Sequence, residues 1–409
     1  MSSRKATAHT CRTGLPRARC STDRGTERPE RGPAGGHLRR ASLARKLLAG
    51  ALLAAAVSAC KKPAEAARTD AKRASPSGLQ EAGCERGGDR DLDQVANCFY
   101  LGHPADPWHF LSRESRPEAG TRDDFNKAFA QPSDWRTNSA TVLGVESRDG
   151  QVFGRVQVVY EAAVKGRKAC SEVRTKTWAQ EDGAWRRVVR RHEEELADKQ
   201  FQNGDYSGSV ATAEKWLRLD PFSVEAYKRL VFALARDESG SSNGRSLPDT
   251  LQAALALDPA DSVALFLAVT FTEDPDEGET LFGKLAPDDC IREQAAFNLA
   301  LRMSPERRLA FLEKLGSTSP RIQMQLVQGL VQLGDSERLR ALLTPDLDKA
   351  IRTQLEQQDG SNAALWSLTM GEAWLLLENR DAAKAWASYA GTRDPNQPGI
   401  ADLLRRVKE

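Results

Sequence analysis

The chain has 409 residues and a formal charge of +2, but this charge is distributed unevenly. Residues 1–59 hold 12 basic and 3 acidic side chains, which leaves 47 basic and 54 acidic side chains, a formal charge of −7, in the remainder. Because the larger part is mildly acidic, its charge gives no support for a nucleic-acid partner. After residue 60, no apolar stretch is long enough to cross a bilayer as a helix.

The first predicted element is a short apolar segment at residues 47–57. It is too short to span a membrane, and it has basic residues before it and small residues after it. This order is typical of a secretion signal, whereas the alternative, a buried core helix of Ala and Leu, needs no basic cluster before it. The flanking residues are Arg39, Arg40, Arg45 and Lys46 on one side and Ser58, Ala59 and Cys60 on the other.

The tetrapeptide at residues 57–60, Val-Ser-Ala-Cys, resembles the lipobox of bacterial lipoproteins. The resemblance implies that residues 1–59 are a leader and signal peptide, that cleavage falls between Ala59 and Cys60, and that Cys60 receives diacylglycerol and palmitate. Lys61 stands where an Asp retains enterobacterial members at the inner membrane, so the resemblance implies the periplasmic face of the outer membrane. Residues 60–90 are rich in Lys, Ala, Pro and Ser, which predicts a disordered tether.

Residues 91–189 predict a small α+β domain. Helical candidates at 91–101, 108–113 and 121–130 precede strand-like runs at 140–148, 151–164, 168–180 and 185–189. The Asp-Gly pairs at 149–150 and 182–183 are hairpin signals, because both central residues of a type I′ turn need positive φ. Helices followed by an antiparallel meander predict a curved sheet wrapped on a helix.

The last hairpin of this region carries Trp178, an acidic-Gly turn at 182–183 and Trp185. This motif and the order of elements resemble the NTF2-like and cystatin-like families. One interpretation makes the two tryptophans a cross-strand core pair, and the other places them with Phe153 in an apolar ligand pocket. These families include enzymes, ligand binders and assembly modules, so the fold alone does not select a function.

Residues 190–409 predict an all-α array of helical hairpins. Gly204, Asp205 and Tyr206 followed by Asp220-Pro221 resemble the second half of a tetratricopeptide repeat, with a second copy ending at Asp258-Pro259. When these copies are aligned with the repeat, small residues fall at the positions where its paired helices cross. A third copy fits the same alignment at the end of the chain. The small residues are Ala197, Ala213, Gly371, Ala383 and Ala387. Residues 261–348 predict looser hairpins of a general α-solenoid. The predicted fold class is therefore an NTF2-like α+β domain followed by a tetratricopeptide-like solenoid.

In tetratricopeptide proteins a concave face binds peptides or partner helices. The resemblance places on this face Glu194, Asp198 and Phe201 from the first copy and Lys228, Phe232 and Arg236 from the second. The two phenylalanines are candidate interface anchors, with the alternative that both fill the core between repeats.

Cysteine and histidine positions give little sign of chemistry. Cys84 and Cys98 flank a short polar segment and predict a disulfide, whereas Cys170 and Cys290 are either buried thiols or a long-range pair. The sequence has no zinc-type ligand spacing, and the cluster of His103, Asp106 and His109 is a weaker metal or acid-base alternative. We therefore predict no metal, no cofactor and no catalytic residue.

Together these features predict a non-catalytic, lipid-anchored envelope scaffold that binds other envelope proteins through its helical groove, with its oligomeric state left open. One alternative is a small-ligand-binding lipoprotein that uses the concave sheet near Trp178, Trp185 and Phe153. The other is an enzyme with its active site in that same pocket.

Overall fold

The computed structural model describes residues 91–102, 104–130, 135–162, 170–237, 246–358 and 360–409. The predicted signal segment, the lipidation site Cys60, the tether, Cys84 and His103 lie outside the described residues.

The first part of the described chain is a four-stranded antiparallel sheet preceded by helices. Helix α1 (Leu92–Leu101) begins at Asp91, whose side chain accepts a hydrogen bond from the amide of Gln94. Two 3₁₀ turns (Pro107–Phe110 and Pro117–Ala119) and helix α2 (Arg122–Ala130) follow. The strands are β1 (Trp135–Arg148), β2 (Gln151–Ala162), β3 (Cys170–Glu181) and β4 (Ala184–Arg187), in the order β1-β2-β3-β4.

Two hairpin turns have the predicted geometry. Asp149 and Asp182 have φ of 50°, and the glycines that follow them have φ of 77° and 80°. Positive φ at both central residues directs each strand back beside its predecessor. Strand β1 begins at Trp135, five residues before the predicted start at 140, because the sequence between them pairs with the end of β2.

Each face of the sheet packs on a different part of the chain. On one face, Leu92 and Phe99 of α1 cover Val156, Val158 and Trp178. Gly154 permits this close packing, since a Cβ there would lie 2.1 Å from Leu92 Cδ2. On the opposite face the core contains residues of both the sheet and the helical region, including Phe153, Ala179, Val188 and Phe222.

Fourteen helices follow the sheet within the described residues. The first seven are α3 (Arg191–Gln202), α4 (Tyr206–Leu219), α5 (Val224–Leu234), α6 (Leu247–Leu257), α7 (Ser262–Phe271), α8 (Pro275–Phe282) and α9 (Arg292–Ala300). The others are α10 (Pro305–Leu315), α11 (Pro320–Leu333), α12 (Ser336–Leu342), α13 (Pro345–Glu356), α14 (Gly360–Leu376), α15 (Arg380–Arg393) and α16 (Ile400–Lys408). Four of them begin at proline, which fits the first helical turn because that turn does not use its amide.

The helices form two layers of stacked hairpins. Helices α3, α5, α7, α9, α11, α14 and α16 contact one another in succession, and we call them the inner layer. Helices α4, α6, α8, α10 and α15 pack between successive inner-layer helices and belong to the outer layer. The structure thus confirms the predicted fold class at the level of an α+β sheet region followed by an all-α region. Among the described helices, none combines the length and apolar character needed to cross a bilayer.

Small residues lie where the predicted repeats require close helix crossings. Ala197 of α3 and Ala213 of α4 are fully buried, and the hydroxyl of Ser209 donates to the carbonyl of Ala197 at 3.0 Å. At the other end of the array, a Cβ on Gly371 would lie 2.5 Å from Leu403 Cδ2. A larger side chain at these positions would force the paired helices apart.

Candidate functional site

The free edge of β3 lies against the loops that precede inner-layer helices. Strand β4 pairs only with residues 178–181, so the earlier half of β3 is open on that side. There the amide of Val173 donates to Ser262 Oγ at 2.9 Å, and the amide of Thr175 donates to Asp261 Oδ2 at 2.7 Å. The amide of Ser171 donates to the carbonyl of Asp288 at 3.0 Å. The helical array therefore supplies the partners that an exposed edge strand lacks.

Asp258 and Asp261 are central to this contact. Asp258 Oδ2 accepts hydrogen bonds from Gln157 Nε2 at 2.8 Å and from the hydroxyl of Thr175 at 3.2 Å. One oxygen of Asp261 caps α7 through the amides of residues 263 and 264, and the other receives the amide of Thr175. Burial raises the pKa of Asp261 to about 6, against the influence of nearby Arg174. The segment from Asp258 to Asp261, which begins with the Asp-Pro pair that ends the second predicted repeat, is therefore also the segment that contacts the sheet.

A disulfide reinforces the same edge. Cys170, the first residue of β3, is bonded to Cys290 in the loop before α9. Their Cα atoms are 4.9 Å apart, and the sequence separation of the two residues is 120. Of the two alternatives that the sequence left open for these cysteines, the structure shows the long-range pair. Cys98 is also disulfide-bonded. Because Cys84 lies outside the described residues, the predicted pairing of Cys84 with Cys98 stays a prediction.

An ion-pair cluster brings together three of the predicted groove residues. Arg229 contacts Asp198 at 2.8 Å and Glu194 at 3.8 Å, which links α5 to α3. Lys228 lies 3.4 Å from Glu225, and Glu225 in turn lies 2.9 Å from Arg174 on β3. Glu225 therefore connects the polar side of α5 to the edge of the sheet, and α3 joins the cluster through Arg229.

The pKa of each carboxyl group in this cluster depends on its burial and on the charged side chains around it. Burial alone would raise the pKa of Glu225, but Lys228 and Arg174 beside it hold the pKa well below its usual range. Burial raises the pKa of Glu194, and nearby Glu225 raises it further. Asp198 is also raised in pKa by burial, although Arg229 opposes the effect. The cluster is thus a half-buried network in which each charge depends on its partners.

The two predicted aromatic anchors pack mainly against other rings of the chain. Phe232 is 7% exposed and makes an edge contact with Phe271, with the ring centroids 5.6 Å apart. Phe201 is partly buried, and its ring meets that of Tyr206 at 5.2 Å. Arg236 is partly buried in the turn that follows α5. The position of Phe232 fits the alternative of a core residue better than that of a surface anchor.

A cavity of about 120 Å³ lies between strands β3 and β4 and helices α3, α4 and α5, and we call it the junction cavity. Its wall contains four basic side chains, Arg174, Lys176, Arg187 and Arg190. It also contains four acidic side chains, Glu194, Asp220, Glu225 and Asp261. Sequence patterns did not reveal this cavity, because its wall combines residues of two strands and three helices with Asp261, and these residues are spread over almost 90 positions of the chain.

The apolar pocket predicted near Trp178, Trp185 and Phe153 is not assembled as expected. Trp178 is fully buried against Phe99, with the ring centroids 5.5 Å apart, and Trp185 belongs to the same cluster. Phe153 is on the opposite face, where its ring meets that of Phe222 at 6.2 Å. The two faces of the sheet are thus filled by side chains of α1 and of the helical array.

Asp106 and His109 belong to a small polar network with residues of α2. Asp106 accepts from Asn126 Nδ2 at 2.8 Å, forms an ion pair with Arg122, and lies 3.0 Å from His109 Nε2. Burial acts to raise the pKa of Asp106, but these partners outweigh burial and lower the pKa. This network ties the first 3₁₀ turn to α2. Within the described ranges, no group of three or more His, Cys, Asp or Glu side chains is arranged to hold a metal ion.

No protein-family model matches the sequence, and no curated protein matches it.

Proposed function

We propose that this protein is a non-catalytic, lipid-anchored scaffold of a bacterial cell envelope, held in the outer membrane by acyl chains on Cys60. The disulfide between Cys170 and Cys290 carries the proposal, because such bonds form and persist in oxidising compartments such as the periplasm. The apolar segment at 47–57 and the cysteine that follows it supply the matching export and lipidation signals.

Within this proposal, the sheet region is an NTF2-like domain and the helices are a tetratricopeptide-like array. The disulfide and the edge contacts of β3 hold the two together, which is a useful property in a scaffold that must present one fixed surface. The partner-binding face is formed by the polar side of α3 and α5, with Glu194, Asp198 and Lys228 in its centre. Partners are other envelope proteins that carry charged segments complementary to this cluster.

Metabolic labelling with radioactive palmitate tests the anchor. The wild-type protein should incorporate label and sediment with membranes, whereas Cys60→Ser should do neither, because a serine hydroxyl provides no thioether. Cys11→Ser, a substitution in the leader, is the matched control and should retain the label. Equal labelling of wild type and Cys60→Ser would contradict the proposed anchor.

A photo-crosslinking amino acid tests the partner-binding face. Placed at Glu194 or Lys228, it should give discrete crosslinked products with envelope proteins in living cells. Placed at Lys384, an exposed position of the outer-layer helix α15, it should give none. Identical products from the inner-layer and outer-layer positions, or no product from either, would contradict the assignment of this face.

A further inference from the structure

The junction cavity contains buried polar atoms that lack partners. Trp216 and Asp220 are 3% and 5% exposed, and both line the cavity. In the described part of the chain, Trp216 Nε1 and Asp220 Oδ1 have no hydrogen-bond partner. Buried polar groups in folded proteins almost always have one, so a donor and an acceptor left open beside the same cavity indicate an occupant.

Lys176 adds a second open donor. It is partly buried on β3 and, among the described residues, forms no ion pair. The charged groups that act on it are Arg187 and Arg174, which are like charges, and Glu225 and Asp261, which oppose them more weakly. Burial and these guanidinium groups lower the pKa of Lys176 to about 8. An anionic group next to Lys176 would satisfy the ammonium and hold it in the charged form.

The charge of the wall restricts what can enter. Four basic and four acidic side chains line the cavity, so the wall is neutral when all of them are ionised. Most of these charges already have partners: Arg174 pairs with Glu172 and Glu225, and Arg190 pairs with Glu114 and Glu118. Among the described residues of the wall, the groups without a hydrogen-bond partner are the indole N–H of Trp216, Arg190 Nε, the hydroxyl of Thr177 and the carboxylate oxygen of Asp220. The ammonium of Lys176 forms no ion pair, so positive or N–H donors and one carboxylate oxygen are open in the same wall. A ligand with one negative and one positive end matches both without leaving a net charge buried.

We propose that the junction cavity binds a small zwitterion of the α-amino-acid class. Its carboxylate accepts hydrogen bonds from Lys176 and from the indole N–H of Trp216, and its ammonium group donates to Asp220. The cavity volume of about 120 Å³ is slightly below the ~150 Å³ of a protein cavity that admits benzene, so a small amino acid fits and a large aromatic one does not. The cavity shares Glu194 with the proposed partner-binding face, but the three proposed ligand contacts, Lys176, Trp216 and Asp220, are not residues of that face, so the two proposals can be tested separately.

Isothermal titration calorimetry on the purified mature chain tests the proposal. Glycine and L-alanine should bind, whereas propionate and ethylamine, each of which retains one charged end, should bind at least tenfold more weakly. L-tryptophan should not bind, because its side chain exceeds the cavity. Equal binding of propionate and glycine would overturn the proposal in favour of a simple anion site, and no binding of either amino acid at millimolar concentration would overturn it outright.

Three substitutions assign the contacts. Lys176→Met, Trp216→Phe and Asp220→Asn should each weaken glycine binding at least tenfold, and Lys384→Met on the outer layer is the matched control. Thermal unfolding of each variant identifies any that fails to fold, and only the glycine affinities of the folded variants are then compared with that of the wild type. Unchanged affinity in all folded variants would overturn the proposal. A crystal grown with saturating glycine should show it between Lys176 and Asp220, and ordered water only at that place would overturn the proposal as well.

Discussion

Lys176 illustrates how a single residue makes stability depend on pH. Its pKa is about 8 in the folded protein, because burial and the guanidinium groups of Arg187 and Arg174 disfavour the ammonium form. In the unfolded chain the pKa returns to about 10.5. Between these two values the unfolded chain binds more protons than the folded one, so stability rises with pH.

We therefore expect the free energy of unfolding of the wild type, relative to that of Lys176→Met, to increase between pH 8 and pH 10.5. The full difference is about 3 kcal/mol, and water that reaches the partly exposed ammonium reduces it. Urea unfolding at intervals of half a pH unit measures this. Lys384→Met, at an exposed position, should follow the wild type, and parallel curves for wild type and Lys176→Met would contradict the pKa assignment.

Asp261 performs two tasks that substitution can separate. Asparagine at this position keeps an oxygen to cap α7 but loses the second oxygen that receives the amide of Thr175. Alanine loses both. We expect Asp261→Ala to cost about 3 kcal/mol, from a lost cap and an unsatisfied buried amide, and Asp261→Asn to cost about half as much.

Urea denaturation at pH 7 measures both Asp261 variants, and Asp335→Ala is the matched control. Asp335 caps α12 but makes no contact with the sheet, so its substitution should cost only the roughly 1 kcal/mol of a helix cap. If Asp261→Ala costs no more than Asp335→Ala, the contact with β3 contributes nothing to stability.

At the scale of elements, the disulfide joins the first residue of β3 to the loop before α9. It closes a loop of 120 residues, so it restricts the unfolded chain strongly. We expect the double variant Cys170→Ser, Cys290→Ser to lose about 2–5 kcal/mol of stability. Denaturation of the wild type and of the double variant, each with and without dithiothreitol, measures this loss of stability.

The reductant should lower the stability of the wild type by much more than that of the double variant. Any remaining effect on the variant reports the second disulfide, at Cys98. An equal response in the two proteins would show that the bond between Cys170 and Cys290 does not stabilise the fold.

Local patterns predicted most elements but not how they meet. The Asp-Gly pairs at 149–150 and 182–183 require positive φ, a property of the residues themselves, so these hairpin turns were predictable. Alternating polar and apolar residues identified strands, and small residues such as Ala197 and Ala213 identified helix crossings. The docking of β3 depends on amides at residues 171–175 and on acceptors about 90 to 120 residues away, and no local periodicity reports such a pairing.

The candidate site was predicted only in part for the same reason. Glu194, Asp198 and Lys228 do lie in one cluster, because helix periodicity placed them on the same faces of α3 and α5. Periodicity did not distinguish a groove position from a core position for Phe232, since both face the neighbouring helix. The junction cavity needed the tertiary arrangement, which brings Lys176 of β3 next to Trp216 and Asp220.

For the whole molecule, the sheet and the array share one hydrophobic core. Phe153, Ala179 and Val188 of the sheet region are buried in the same cluster as residues of the inner-layer helices. Without the array, these side chains and the amides of β3 at residues 171, 173 and 175 would be exposed. An apolar face next to an unpaired strand edge favours aggregation.

We therefore expect a fragment of residues 91–189 to be insoluble or unfolded, although the sequence boundary at 189/190 suggests a separable domain. A chain of residues 60–409 should unfold in a single transition. Far-UV circular dichroism, which reports mainly the helices, should then change together with the near-UV signal of the buried tryptophans. Chain 190–409 is the matched comparison, and it should lose stability because Phe222 loses its contact with Phe153. A soluble, monomeric fragment 91–189 with dispersed amide resonances would show that the sheet folds alone and that the shared core is not needed.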